Sequence, residues 1–80
     1  MYNLLYEVVE ENSNGQTSYG IKILENGIKT KYIPNVFKEK ELTEKLVNKC
    51  NTHRIPPIHI LDLIEDAYFD LGINKTPEFA

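Results

Sequence analysis

The chain has 80 residues, with nine lysines and arginines against twelve aspartates and glutamates, for a net charge of -3. This length suits one domain that buries roughly 60% of its unfolded surface, and a composition of 41% hydrophobic and 26% charged residues excludes a disordered chain. The mild acidity argues against a dedicated nucleic-acid binder, which carries a basic surface to neutralise phosphates, and a single cysteine excludes an internal disulfide.

Met1 to Glu7 lacks the basic segment and apolar run of a signal peptide, and no uninterrupted apolar stretch is long enough to span a bilayer. A cytoplasmic protein without membrane association is expected. Tyr2 to Asn12 then alternates as a strand, with Tyr2, Leu4, Tyr6 and Val8 on one face and Leu5 and Val9 among polar residues on the other. Asn14-Gly15 predicts a type I′ hairpin turn, because both residues tolerate positive φ. With that turn, Glu7 falls opposite Lys22, Val8 opposite Ile21 and Tyr6 opposite Ile23 along a second strand, Thr17 to Glu25. A second pair, Asn26-Gly27, turns the chain into a third strand, Ile28 to Ile33. The same arithmetic sets Ile21 opposite Tyr32, Ile23 opposite Thr30 and Lys22 opposite Lys31, a like-charge pair. Pro34 is expected to close this strand, since it cannot donate to the ladder. Gly20 marks a bulge or a close backbone approach.

Lys38 to Asn51 has helical spacing, with Leu42, Leu46, Val47 and Cys50 as an apolar stripe and charged residues outside it. Pro56-Pro57 sets the start of a second helix, because proline suits the first helical turn. In that helix Ile58, Ile60, Leu61, Leu63, Ile64, Ala67, Tyr68 and Leu71 surround most of the circumference, so the rest of the chain is expected to cover it. Leu71-Gly72-Ile73 encodes its stop, with Gly72 left-handed and Ile73 folded back on the last turn. The predicted fold is α+β: a three-stranded antiparallel meander, β-β-β-α-α, with both helices on one sheet face. Residues 1–73 form the domain and 74–80 a flexible C-terminal tail, although Phe79 could dock.

The chain carries no Walker loop, GxGxxG, CxxC, HExxH or serine elbow. Four candidate sites remain. The open sheet face gathers Leu5, Val9, Leu24 and Ile33 with Lys22, Lys29 and Lys31; apolar residues on a face that should be solvated mark an interface, and the lysines offer a nucleic-acid surface, against which stands the inward turn of Tyr6, Tyr19, Tyr32 and Tyr68. His59, Asp62, Asp66 and Asp70 form an acidic edge on the second helix, suited to docking a basic partner. Ordinary solvation explains the same stripe. His59 with Asp62, one turn apart, is the metal-binding alternative, but no second histidine joins it on that helix. Cys50 with His53 or His59 is a nominal nucleophile pair, but Cys50 lies on the apolar stripe, where a thiol is an inert small hydrophobe. His53 and Arg54 are accounted for by the helix dipole beside them.

Tyr6-Glu7-Val8-Val9-Glu10-Glu11, Thr17-Ser18-Tyr19-Gly20-Ile21, Cys50-Asn51 and, above all, Pro57 to Asp66 resemble a family of short proteins of unknown function from clostridia and other Firmicutes. The resemblance extends to about Phe69 and leaves the tail outside. It implies a small intracellular bacterial protein with no assigned activity, and it transfers no catalytic residue. The expected function is therefore non-enzymatic: an interaction or regulatory module with a protein partner, a second copy of the chain included, and no cofactor. A nucleic-acid-binding regulator is the alternative.

Overall fold

The computed structural model describes residues 2–77. Strands β1 (Leu4–Ser13), β2 (Gln16–Glu25) and β3 (Ile28–Phe37) form an antiparallel meander in the order β1-β2-β3. Helix α1 (Lys40–Thr52) follows, then a turn of 3-10 helix at Pro57–His59 and helix α2 (Ile60–Asp70). Both helices lie on one face, as the alternation predicts. Asn14 and Gly15 have φ of 53° and 76°, and Asn26 and Gly27 of 54° and 81°, the double positive values of type I′ turns. The β1-β2 register is the predicted one: Tyr6 faces Ile23, Glu7 faces Lys22 and Val8 faces Ile21.

The β2-β3 register differs from expectation by one residue. Leu24 pairs with Lys29 but Ile23 pairs with Lys31, so Thr30 is an extra residue, a β-bulge. Beyond it Ile21 faces Ile33 and Lys22 faces Tyr32. The bulge exchanges Tyr32 for Ile33 in the core and separates Lys22 from Lys31, which a regular hairpin would set against each other. Nor does Pro34 close the strand. As an edge strand, β3 tolerates a proline without an N–H. Asn35 takes a φ of 49°, and pairing resumes at Tyr19 and Phe37.

The core lies between sheet and helices. Tyr6, Ile21, Ile23, Ile33, Val36 and Phe37 meet Leu46, Val47 and Cys50 of α1 and Ile60, Ile64 and Tyr68 of α2. Full burial of each such side chain contributes about 1.5–3 kcal/mol. The Tyr68 ring stands edge-on to Phe37, with centroids 5.6 Å apart, and its hydroxyl donates to the Val36 carbonyl at 2.6 Å. Thr43, absent from the predicted stripe, is fully buried because its hydroxyl donates to the Glu39 carbonyl one turn back, at 3.0 Å.

Two features fasten the helices. The Asn51 side chain accepts a hydrogen bond from the Tyr6 N–H at 2.8 Å and donates one to the Tyr6 carbonyl at 2.9 Å, so a side-chain amide pairs with β1 on its outer edge. The Tyr6 hydroxyl donates to the Ile55 carbonyl. Both helices also end in the same double hydrogen bond. Ile73 N–H reaches the Tyr68 carbonyl and Gly72 N–H that of Phe69, while Ile55 N–H reaches Cys50 and Arg54 N–H reaches Asn51. Gly72 takes the left-handed position at the end of α2, with a φ of 70°, and Arg54, at 50°, takes it at the end of α1.

After α2, Asn74 to Pro77 has no regular structure, and the Lys75 ammonium contacts the Asn35 carbonyl and lies 5.9 Å from the Tyr68 ring centroid. The rest of the expected tail, with Phe79, lies outside the described residues.

Candidate functional site

The helical layer is less enclosed than the apolar circumference of α2 predicts. Ile60, Ile64 and Tyr68, spaced four apart, are buried; Leu61, Leu63 and Ala67 are half-buried, while Ile58 is 79%, Phe69 86% and Leu71 49% exposed. The reason is supply. Covering α2 on all sides takes more neighbours than one helix and three strands provide, and α1 and the sheet together reach only one side of it. His59, Asp62, Asp66 and Asp70 are all exposed, as expected of the polar edge. Asp66 and Asp70 line the groove toward α1, whereas helical rotation sets Asp62 further round, toward Phe69.

That groove runs between α1 and α2, with a volume of about 540 Å³. Phe37, Leu42, Leu46, Ala67 and Leu71 make it apolar, Lys45 and Lys49 stand on its α1 side and Asp70 on its α2 side. An adjoining depression takes in Leu63, Asp66 and Phe69. Among the described residues neither lysine forms an ion pair with Asp66 or Asp70, and no group of three or more His, Cys, Asp or Glu side chains is placed to hold a metal ion. Sequence reasoning set Lys45 and Lys49 outside the apolar stripe of α1, as they are, but assigned neither them nor Phe69 to a site. The signal was present in the excess of apolar positions on α2 over the partners available to bury them.

On the open sheet face Leu5 pairs with Leu24 and is 44% exposed, and Val9 pairs with Gly20. Lys22 and Glu7 make a salt bridge at 3.1 Å. Two expected members are elsewhere: Ile33 is fully buried in the core, and Lys31, facing Ile23 in register, falls on the other side of the sheet, both consequences of the extra residue at Thr30. Tyr32 takes their place. Its ring lies across Gly20, and its ammonium neighbour Lys29 sits 6.0 Å from the ring centroid. Among the described residues the buried Tyr32 hydroxyl has no hydrogen-bond partner, and burial raises its pKa, with the Glu11 carboxylate adding to the effect. The three-lysine cluster is thus reduced to Lys22, already paired, and Lys29.

Cys50 is fully buried, and burial pushes its thiol up to about 11, while His53 and His59 are exposed. A thiol held protonated at neutral pH is a poor nucleophile. At the far end of β1 the Tyr2 hydroxyl donates to Glu25 at 2.6 Å, which holds that carboxyl below its ordinary value.

These features define a two-layer α+β protein of β-β-β-α-α order, one sheet face covered by helices and the other open. The chain belongs to the family of unknown function DUF6514, whose model matches residues 1–70. Neither a curated protein nor a solved structure matches it. Among the described residues no helix is long and apolar enough to cross a membrane.

Proposed function

We propose that this chain is a non-enzymatic protein–protein interaction module whose docking surface is the outer side of the helical layer. The setting is the one the sequence resemblance implies, the cytosol of clostridia and other Firmicutes. The observation that carries the reading is the exposure of Phe69 at 86% beside an apolar groove. A single exposed apolar residue is ordinary, but an aromatic that continues into a groove floored by leucines is the anchor-and-pocket arrangement of protein interfaces. Of the acidic edge formed by His59, Asp62, Asp66 and Asp70, the last two border the groove and supply the polar rim. The open sheet face, with Leu5, Val9 and Leu24 around the Lys22–Glu7 pair, ranks second because Ile33 and Lys31 do not contribute to it.

Photo-crosslinking in the producing cell tests this. A photoreactive residue is placed at Phe69, at Leu5 or at Glu44, which is exposed on the side of α1 away from the groove. Position 69 is expected to give an adduct of discrete mass and position 44 none. An adduct at Leu5 alone would move the docking surface to the sheet, and no adduct at either would overturn the interaction reading.

A further inference from the structure

We propose that the partner of the helical face is a second copy of the same chain, joined about a two-fold axis that passes through the α1-α2 groove. The inference rests on the interaction reading above and names its partner. The argument is one of charge complementarity. Lys45 and Lys49 lie one turn apart on α1, Asp66 and Asp70 one turn apart on α2, and the apolar strip of Leu42, Leu46, Leu63 and Ala67 lies between the two rows. All four charged side chains are exposed, and neither lysine pairs with either aspartate within one copy. A basic partner helix would be repelled by the lysine row, an acidic one by the aspartate row, and a nucleic acid by the aspartates. The occupant that satisfies both rows carries both signs on either side of an apolar strip, and a second copy presents that arrangement already.

A two-fold rotation about an axis running along the groove, parallel to both rows, brings the lysine row of each copy against the aspartate row of the other, so both pairings form at once. It also brings each Phe69 to the other copy, because the aromatic and the groove belong to one continuous surface. A closed pair of this kind leaves no complementary patch for a third chain. Two short helices offer less than the roughly 800 Å² per partner of a standard interface, so association on the order of micromolar is expected, weakening as salt screens the charge rows.

The test is sedimentation equilibrium on the purified full chain over a concentration series at low and high salt. The mass is expected to rise from one chain to two and stop there. Two double variants follow, Lys45→Glu with Lys49→Glu, and Asp66→Lys with Asp70→Lys. Each alone places like charges across the axis and is expected to self-associate about tenfold more weakly or less. An equimolar mixture of the two restores opposite charges on both sides and is expected to recover the two-chain species. Phe69→Ser, exposed and outside the fold's core, is expected to weaken association without changing the circular dichroism spectrum. A wild-type chain that stays monomeric throughout would overturn the proposal, as would a mixture that fails to recover the dimer. In either case an adduct at position 69 with a different protein would leave the interaction reading standing, whereas the absence of any adduct would end both.

Discussion

At Gly20 a hydrogen atom stands where any other residue would set a carbon 2.6 Å from the Ile33 carbonyl oxygen and 2.7 Å from the Tyr32 hydroxyl. The backbone conformation there is ordinary, so the requirement is one of space. The Tyr32 ring fills the gap that the missing side chain leaves on the open face, an aromatic laid across a glycine. Gly20→Ala is expected to destabilise the fold by about 1–3 kcal/mol, the cost of overpacking against backbone that cannot move far. Urea unfolding monitored by circular dichroism measures it. In the Tyr32→Ala background the cost falls but does not vanish, because the Ile33 carbonyl remains. The sequence marks Gly20 as special, since a glycine inside an alternating strand has few other reasons to be there. It does not say which neighbour approaches, because that depends on the extra residue at Thr30, which no local propensity announces.

At the scale of the element, the two helices share an ending but not a residue to make it. Gly72 is legible as the stop of α2 because glycine meets the left-handed conformation without a Cβ penalty. Arg54 performs the same role after α1 at a φ of 50° and hides it, since its charge offers a sufficient reason for its presence beside the helix terminus. Left-handed backbone costs a residue with a side chain roughly 1–2 kcal/mol, partly offset in glycine by the entropy of the unfolded chain. Arg54→Gly is therefore expected to stabilise the protein by about 0.5–1 kcal/mol, read as a rise in Tm of a few degrees by calorimetry. No rise would show that the arginine side chain contributes a contact that compensates for its backbone. For α2 itself periodicity counts the apolar positions correctly. What it cannot supply is the number of elements available to cover them, so Ile58 and Leu71 read as core in the sequence and stand in solvent in the fold.

For the whole molecule, one side-chain amide ties β1 to the helical layer. Asn51 holds the outer edge of β1 through both the N–H and the carbonyl of Tyr6, while the Tyr6 side chain enters the core and its hydroxyl reaches Ile55. Asn51→Ala leaves two backbone groups without partners and is expected to cost about 1–3 kcal/mol. The specific readout is hydrogen exchange: the Tyr6 amide, on an edge strand, is expected to be protected in the wild type and to exchange rapidly in the variant. The α+β class, the meander and the first hairpin register are legible because turn chemistry and alternation agree there. The candidate site is legible only in part. The carboxylates of α2 follow from spacing along one element, whereas the groove needs α1 and α2 to be placed side by side, and no pattern within either helix encodes that distance.

The same amide makes the two margins of the sheet different. On β1, addition of another strand is blocked at Tyr6, near the start of the strand, where a side chain already occupies the place a neighbouring backbone would take. On β3, the carbonyls of Asn35 and Val36 are taken by Lys75 and Tyr68, which leaves Ile28 to Ile33, itself broken by the extra residue at Thr30. Each margin therefore keeps only part of its length for another strand, Val8 to Ser13 on β1 and Ile28 to Ile33 on β3. Extension of the sheet into a fibre is hindered at both margins, by a side chain on one and by a bulge and two occupied carbonyls on the other, a safeguard that a bare three-stranded meander does not have.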